Sequence, residues 1–310
     1  MSARHTTKLQ ALLVDEHFKG EVFPFEPMTR HTFYRIGGPA RFFVQVASVG
    51  ALSSLITACN EEDIAWIVLG KGSNVLVSDE GFDGVVITLG DDFRRCHFDE
   101  ECSCFVVGAG TSLASVVQHA FKRGLAGLEF CVGTPGTVGG ALRMNAGSSE
   151  EWIGSHVISA TVYKAGIGLK KYWGNEIAWD YRSSSFALDE VIIECEIAVE
   201  STFSAHIREK MEALLLKRKK SQPMNKPSCG SVFKNPAGQS AGALIEGAGL
   251  KGRAIGGAMI SDQHANFIIN TGEARAEEVK KLIELAQIKV KEKYGIELQP
   301  EVKYLGFSKE

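Results

Sequence analysis

The chain has 310 residues, of which 45% are hydrophobic and 23% are charged, enough apolar material for two or three folded domains. Its net charge of -3 at pH 7 gives no broad basic surface, which argues against a nucleic-acid-binding protein and leaves any phosphate binding to local features. The apolar runs are too short for a membrane span and residues 1–10 carry no apolar signal core, so we expect a cytoplasmic protein.

The predicted elements alternate between strands and helices, which favours an α/β or α+β class. Strands are identified by short β-rich runs and helices by apolar residues at helical spacing. In chain order, the pattern predicts a strand at 40–46, a helix at 49–60, strands at 65–69, 84–89 and 105–108, a helix at 113–123, strands at 156–164 and 190–199, helices at 205–220 and 276–294, and a strand beyond Gly295.

The seven cysteines are odd in number and form no Cys-x-x-Cys pair, which is typical of a reducing compartment. Cys96, Cys102 and Cys104 lie near His97, so a metal site was considered there. Cys102 and Cys104 fall on one face of an alternating strand at 102–107, where cysteine behaves as a small apolar residue. We therefore expect no metal site.

The helix at 205–220 places Ile207, Met211, Leu214 and Leu215 on one face. It ends in four consecutive cations at 217–220, which suit the negative end of the helix dipole. We favour a solvated helix end for this run, with contact to substrate phosphates as the alternative.

A first glycine-rich segment follows a predicted apolar strand and consists of Gly70, Lys71, Gly72, Ser73 and Asn74. Glycines let backbone N–H groups approach an anion closely, and a lysine and a hydroxyl add donors for phosphate oxygens. The segment is not a Walker loop, because the glycine required four residues before Gly-Lys is missing. Read alone, the segment fits a simple tight turn at least as well as a phosphate site, and both interpretations stay open.

A second glycine-rich segment has the same two interpretations. Its residues are Gly133, Thr134, Pro135, Gly136, Thr137, Gly139 and Gly140, continuing to Asn145, Ala146 and Gly147. The dinucleotide fingerprint Gly-x-Gly-x-x-Gly is absent, since Leu113 stands where Gly108-x-Gly110 would need its third glycine. The two segments indicate nucleotide binding without a Rossmann domain.

Eight segments together resemble the UDP-N-acetylenolpyruvoylglucosamine reductase (MurB) family, over about residues 28–306. Besides the two glycine-rich segments, they are YRIGGPA at 34–40, DYRSSSF at 180–186, PSCGSVFKNP at 227–236, IGGA at 255–258, QHANF at 263–267 and PEV at 300–302. The short run from Arg182 to Ser231 resembles the branch of the family without an extra tyrosine loop.

The resemblance implies an α+β fold with a two-part FAD-binding module of the vanillyl-alcohol-oxidase (PCMH) type and a C-terminal α/β substrate-binding domain. The implied domains are 1–89, 90–204 and 205–310, and a return of the last residues to the FAD module is the alternative. It further implies non-covalent FAD and NADPH as reductant. The reaction would convert the enolpyruvyl group of UDP-N-acetylglucosamine enolpyruvate to UDP-N-acetylmuramate for peptidoglycan. We expect a monomer with small-molecule substrates and neither a nucleic-acid nor a membrane partner.

Three residues match the family's catalytic positions. Hydride addition to the vinyl carbon builds negative charge beside the carboxylate, and that charge needs donors and then a proton. The resemblance makes Arg182 the group that holds this charge, Glu301 an orienting partner and Ser231 the proton donor. By spacing alone, they would be a surface arginine, an edge-strand carboxylate and a turn serine.

For the substrate phosphates, the motifs suggest Lys234 and Asn235, with Gln263 and His264 as weaker candidates; a structural histidine is the alternative for His264. A nucleophilic Cys229 is not favoured, because the reaction needs none. The resemblance breaks at 148–154, where SSEEWIG replaces the family's small residue, aromatic or histidine, and glycine. This leaves flavin contacts beyond Gly147 open.

Two other functions remain compatible with these patterns. One is a different FAD oxidoreductase of the same fold class, such as a sugar-lactone or aromatic-alcohol oxidase, which the Ser231 and Glu301 motifs argue against. The other is an inert UDP-sugar-binding protein, which the three filled catalytic positions argue against.

Overall fold

The computed structural model describes residues 7–148 and 150–307. Residues 1–6, which belong to the N-terminal segment considered above, lie outside this part, as do Ser149 of the 148–154 segment and residues 308–310. The chain divides into two compact units: unit 1 comprises residues 1–25, 42–70 and 84–214, and unit 2 comprises 26–41, 71–83 and 215–310. The three-domain division made from the resemblance stays a prediction.

The helices in the described residues follow the apolar spacing of the sequence. They are α1 (Lys8–Leu13), α2 (Val49–Glu61), α3 (Leu113–Lys122), α4 (Val138–Arg143), α5 (Ser204–Ser221), α6 (Ala241–Gly247) and α7 (Ala276–Tyr294). None of them, within the described ranges, is long and apolar enough to cross a membrane.

The strands in the first half of the chain are β1 (Gly20–Pro27), β2 (Pro39–Val46), β3 (Trp66–Val68), β4 (Val75–Val77), β5 (Phe82–Leu89), β6 (Cys96–Asp99), β7 (Cys104–Gly108) and β8 (Leu125–Ala126). Those in the second half are β9 (Val157–Lys164), β10 (Gly168–Trp173), β11 (Trp179–Asp180), β12 (Ser183–Ser184), β13 (Glu190–Ala198), β14 (Glu200–Ser201), β15 (Ala254–Ile255), β16 (Ala258–Ile260), β17 (Ile268–Asn270) and β18 (Lys303–Leu305).

Unit 1 is built around an antiparallel sheet with strand order β10-β9-β13-β7-β6. Alternating apolar residues such as Phe105, Val107 and Ile197 bury one face of this sheet. A second sheet, in the order β1-β2-β5-β3, ends in a parallel pair between β3 and β5. Helix α2 begins at its N-cap Ser48, whose hydroxyl accepts a hydrogen bond from the Ala51 N–H at 3.2 Å.

The core of unit 2 gathers around α7 and the antiparallel sheet β15-β16-β17. Val279, Leu282, Ile283 and Ala286 recur at three- and four-residue intervals on α7 and are fully buried. The helix ends at Gly295, whose φ of 70° suits a residue without a Cβ atom. Strand β18 pairs in parallel with β4, which brings the last strand to residues 75–77.

The elements predicted from the sequence are confirmed to within a few residues at their ends, except for the strand proposed at 102–107. That strand begins at Cys104, because Cys102 lies in the preceding turn and forms a disulfide with Cys104, with their Cα atoms 5.3 Å apart. Ser103 between them has a φ of 50°, which a strand does not adopt. The interpretation of both cysteines as small apolar side chains on one strand face is therefore wrong.

Candidate active site

Gly70, the residue of the first glycine-rich segment that belongs to unit 1, lies close to the second glycine-rich segment. A Cβ atom added to Gly70 would lie 2.6 Å from the Thr137 hydroxyl oxygen, so this close approach requires glycine. Thr137 is the N-cap of α4, and its hydroxyl accepts a hydrogen bond from the Gly140 N–H at 3.3 Å. The second segment packs on the turn before α3, through hydrogen bonds from Val138 N–H to Thr111 O and from Gly139 N–H to Ala109 O, both 2.9 Å.

The chemistry of these segments suits a pyrophosphate. Residues 70–74 and 133–140 contain glycines, hydroxyls, an amide and Lys71 but no carboxylate, and residues 133–137 are exposed or half-buried. Gly139 is additionally fixed by packing, since a Cβ atom there would lie 3.0 Å from Ala109 Cβ. The N–H groups of Thr134, Val138, Gly139 and Gly140 donate to protein acceptors, so the other N–H groups and the hydroxyls of these segments are the donors suited to phosphate oxygens.

In unit 2, Gly72 is held against the 31–33 turn. Its φ is 61°, and a Cβ atom would lie 2.2 Å from the His31 carbonyl oxygen. Asn74 has a different part in this unit: its side-chain amide donates to the Glu301 carbonyl oxygen at 3.2 Å, and its carbonyl accepts from the Lys303 N–H at 3.0 Å. The Asn74 side chain, expected from the sequence to contact the cofactor, thus anchors the segment that carries Glu301.

Ser231 and Glu301 lie on segments that are hydrogen-bonded to each other within unit 2. The Glu301 N–H donates to the carbonyl of Val232, the residue after Ser231, at 2.7 Å. The next residues continue this pairing, with a bridge between Phe233 and Pro300. Two of the three predicted catalytic residues are therefore brought together by backbone contacts.

The buried Asn266 fixes the Ser231 segment. Its side-chain oxygen accepts from the Phe233 N–H at 2.9 Å, and its Nδ2 donates to the Phe233 carbonyl at 2.8 Å. Its own carbonyl accepts from the Val232 N–H at 2.8 Å. From the motif at 263–267 the sequence pointed to Gln263 and His264, and it missed Asn266, which binds Val232 and Phe233, the two residues after Ser231. A buried asparagine in a matched motif was the available signal.

The predicted substrate contacts make protein contacts of their own. Gln263 Nε2 donates to the carbonyls of Lys219 and Lys220 at 3.1 and 3.2 Å, which caps the end of α5. Asn235 Oδ1 accepts from the Ala241 N–H at the start of α6 at 3.0 Å. The Lys234 N–H donates to the Gln299 carbonyl at 2.9 Å. Contacts of Lys234, Asn235, Gln263 and His264 with substrate stay a prediction.

His264 is built into the same unit. Its Nδ1 accepts from the Asn266 N–H at 3.2 Å, and its ring meets the Phe267 ring edge-on at 4.9 Å. Burial lowers the pKa of His264, so the neutral form is favoured. These contacts support the structural interpretation of this histidine.

Cys229 is buried two residues before Ser231. Burial raises the pKa of its thiol to about 12, and the negative charge of Glu301 adds to this shift. A thiol with such a pKa is neutral at physiological pH and is a weak nucleophile. The structure thus supports the view that Cys229 takes no covalent part in the chemistry.

Arg182 lies in a tight turn of unit 1 between β11 and β12, which pair through Asp180 and Ser183. It has a φ of 55°, an uncommon value for a residue with a side chain. Its guanidinium carbon lies 5.1 Å from the centroid of the Tyr181 ring, and the Asp180 carboxylate accepts from the Tyr181 N–H at 2.7 Å. The backbone conformation at Arg182 is therefore held by its surroundings.

Asn145 supports this turn. Its side chain is buried, donates through Nδ2 to the Asp180 carbonyl at 3.0 Å and accepts from the Gly154 N–H at 3.0 Å. Its φ is 42°. The sequence placed Asn145 among the cofactor-binding residues, and the structure adds that its side chain connects three segments of unit 1.

The unusual segment at 148–154 forms a compact turn in its described residues. The Ser148 hydroxyl accepts from the N–H groups of Glu150 and Glu151, both at 3.2 Å, and Gly147 pairs with Trp152. The Glu151 carboxylate reaches Lys210 of α5 at 3.2 Å. No group of three or more metal-ligating side chains occurs within the described ranges.

Two family models match the chain. The model described as the UDP-N-acetylenolpyruvoylglucosamine reductase C-terminal domain matches residues 222–305. The model described as an FAD binding domain matches residues 40–166, which include both glycine-rich segments up to Gly147.

Relatives resemble the chain over nearly its whole length. A UDP-N-acetylenolpyruvoylglucosamine reductase of Heliobacterium modesticaldum is 41% identical over 298 residues, covering 95% of this chain and 94% of the relative. The reductase of that name from Bacillus subtilis is 38% identical over 289 residues, covering 93% and 95%. The crystal structure of the Thermus caldophilus enzyme (MurB) superposes with a TM-score of 0.80 at 34% identity, covering 92% of this chain and 98% of that one.

Proposed function

The chain belongs to the family of UDP-N-acetylenolpyruvoylglucosamine reductases, which are FAD-dependent oxidoreductases of peptidoglycan biosynthesis, and we propose that it reduces UDP-N-acetylglucosamine enolpyruvate to UDP-N-acetylmuramate with NADPH. The family membership, the FAD-binding domain and the α+β class confirm the resemblance drawn from the sequence motifs. The observation that carries the proposal is the backbone pairing of the Ser231 segment with the Glu301 segment.

FAD, when bound, supplies the hydride that is transferred to the vinyl carbon of the substrate. The residues of this chain then stabilise the developing negative charge and donate a proton. Arg182 offers a planar fork of donors to the substrate carboxylate, onto which the new negative charge spreads. Its task is to stabilise that charge more strongly in the transition state than in the bound substrate.

Ser231 donates the proton to the carbon that bears the ether oxygen. A serine hydroxyl is a poor acid in water, so the step depends on a strongly basic intermediate and a fixed hydroxyl. The segment after Ser231 is fixed by the Val232–Glu301 hydrogen bond and by Asn266. Glu301 orients the carbon that accepts the proton and, together with Arg182, sets the charge around it.

The glycine-rich segments hold FAD without a covalent bond. The groups that meet it are Gly70, Lys71, Gly72 and Ser73 in the first segment and Gly133, Thr134, Pro135, Gly136, Thr137, Gly139, Gly140, Asn145, Ala146 and Gly147 in the second. Acid precipitation of the purified protein should release the flavin into the supernatant, because no bond retains it. Flavin that stays in the pellet would show a covalent link.

The decisive experiment is an anaerobic reduction by NADPH followed by exposure to the enolpyruvyl UDP-sugar in deuterated water. The reduced flavin should be reoxidised, and the product should carry deuterium at the carbon bearing the ether oxygen. A sugar lactone and an aromatic alcohol serve as control substrates for the oxidised enzyme. Reduction of the flavin by either of these, with no response to the enolpyruvyl compound, would contradict the proposal.

A further inference from the structure

The guanidinium of Arg143 binds three main-chain carbonyls just beyond the Arg182 turn. Its Nη1 donates to the Phe186 carbonyl at 2.8 Å and to the Ala187 carbonyl at 2.7 Å, and its Nη2 donates to the Glu190 carbonyl. Its guanidinium carbon also lies 5.8 Å from the centroid of the Phe186 ring. These contacts fix the segment that follows strand β12.

Burial lowers the pKa of Arg143, and the nearby negative charges of Glu190 and Asp189 oppose that shift. An arginine keeps its charge in such a site, whereas a lysine has no planar fork and only three donors. Glu190 is buried as well; its carboxylate accepts from the Tyr172 hydroxyl at 2.6 Å and from the Ala187 N–H at 2.8 Å. The charged groups on both sides of this segment are thus satisfied by hydrogen bonds.

The backbone of the same arginine reaches the turn itself. The Arg143 carbonyl accepts from the Ser184 hydroxyl at 3.0 Å, on the strand after Arg182. Two residues later, Asn145 binds the Asp180 carbonyl on the strand before Arg182. Both strands of the hairpin are therefore held by residues at the end of α4.

Helix α4 is the part of the second glycine-rich segment that Thr137 begins and Arg143 ends. Arg143 stands only six positions after the phosphate-binding candidate Thr137 in the chain. A side chain that joins this helix to the hairpin gives the hairpin a fixed position relative to the segment proposed to hold FAD.

We propose that Arg143 is a positioning residue for Arg182. Arg143 holds the Tyr181–Arg182 turn in the one place where the guanidinium of Arg182 meets the substrate carboxylate. This inference rests on the proposed function. It predicts that Arg143 affects the reduction of substrate and leaves the reduction of the flavin by NADPH unchanged.

A double-mutant cycle with Arg143→Met and Arg182→Lys tests the inference by stopped-flow reoxidation of the reduced enzyme. Loss of hydrogen bonds to a charged group costs about 1.5–3 kcal/mol, so Arg143→Met should slow reoxidation by the substrate roughly 10- to 150-fold. If Arg143 acts through Arg182, the double variant should be no slower than Arg182→Lys alone. Losses that multiply would show an independent, structural effect and overturn the inference.

Two further variants keep the test decisive. Arg208→Met is the matched control, because this exposed arginine of α5 lies against the Phe121 ring, 5.6 Å from its centroid, and its loss should leave reoxidation unchanged. If Arg143→Met fails to fold, Ser184→Ala removes the hydrogen bond from the Ser184 hydroxyl to the Arg143 carbonyl instead. It should slow reoxidation by itself and add no further loss to Arg182→Lys. Added guanidinium should restore part of the reoxidation rate in Arg143→Ala. If it restores none, the inference is contradicted.

A measurement without substrate separates this inference from the proposed function. Amide hydrogen exchange at residues 180–187 should accelerate in Arg143→Met and stay unchanged in Arg208→Met. If the wild type fails to reduce the enolpyruvyl sugar yet exchange accelerates, the proposed function is wrong and the structural link stands. Unchanged exchange would overturn the link, whatever the substrate.

Discussion

The Ser231–Glu301 region of unit 2 and the Arg182 turn of unit 1 are held by different means. In the first, main-chain hydrogen bonds join two segments directly, as between Glu301 N–H and Val232 O. In the second, side chains of Arg143 and Asn145 reach main-chain carbonyls more than 30 residues away in sequence. In the first region the side chains of Asn74 and Asn266 add to a main-chain pairing, whereas the position of the Arg182 turn depends mainly on particular side chains. The two regions should therefore respond differently to substitution.

The largest expected effect is on catalysis at Ser231. General acid catalysis contributes about 10²- to 10⁴-fold, so Ser231→Ala should lower turnover by roughly that factor. The fold and the flavin content should stay normal, because the segment is held by main-chain bonds and Asn266. Stopped-flow absorbance should show reduction by NADPH at the wild-type rate and slow reoxidation by substrate.

Ser231→Cys should recover part of the lost activity, because a thiol is a stronger acid than a hydroxyl. If Ser231→Ala turned over near the wild-type rate with unchanged product stereochemistry, the proton would have to come from Glu301 or from water.

Substitution of Asn266 tests whether main-chain hydrogen bonds alone hold the Ser231 segment of unit 2. Asn266→Ala leaves the buried N–H and C=O of Phe233 without their side-chain partner, and each unsatisfied group costs about 1–3 kcal/mol. We expect a loss of roughly 2–6 kcal/mol in the free energy of unfolding, measured by urea denaturation. Asn60→Ala, which removes an exposed hydrogen bond to the Trp66 indole, should change it little. A loss no larger than that of Asn60→Ala would mean that Asn266 is dispensable.

Gly139→Val tests whether the packing around α4 supports flavin binding. The first added carbon already lies 3.0 Å from Ala109 Cβ, and overpacking typically shifts the backbone at a cost of about 1–3 kcal/mol. We expect this shift of α4 to weaken FAD binding, by at most the roughly 5- to 150-fold that would follow if the whole cost fell on the bound form. Fluorescence titration of the apoprotein with FAD measures this change. Gly50→Ala in α2, where a Cβ atom has only Ser48 Oγ nearby at 3.9 Å, is the control. Equal affinities for both variants would remove Gly139 from the proposed FAD contacts.

Much of this molecule could be predicted from its sequence, and the limits have physical causes. Helix α7 was predicted to the residue, because its apolar spacing is strong and Gly295 ends it. The hairpin that carries Arg182 was not predicted, since two-residue strands carry no periodicity. The Cys102–Cys104 disulfide was also missed, because alternation favoured a strand. Motifs pointed to Ser231 and Glu301, whereas the partners Asn266 and Arg143 depend on contacts between distant segments.

The smallest expected effect is a pH dependence of stability at His264, inside the region held by main-chain bonds. Burial lowers the pKa of His264 in the folded state from its usual value of 6.5. A weaker backbone hydrogen bond opposes this shift, the positive charge of Lys251 adds to it, and the negative charge of Glu246 opposes it. Between the lowered pKa and pH 6.5, the unfolded chain binds more protons than the folded chain. The contribution of His264 to the free energy of unfolding is therefore complete above pH 6.5 and is lost as the pH drops through this window. Urea denaturation between pH 5 and 8 should show that loss in the wild type and a flatter profile in His264→Gln. His17→Gln, at a side chain that is 86% exposed, should keep the wild-type slope. A His264→Gln profile as steep as that of the wild type would assign the slope to other groups and leave His264 open to a role with the substrate.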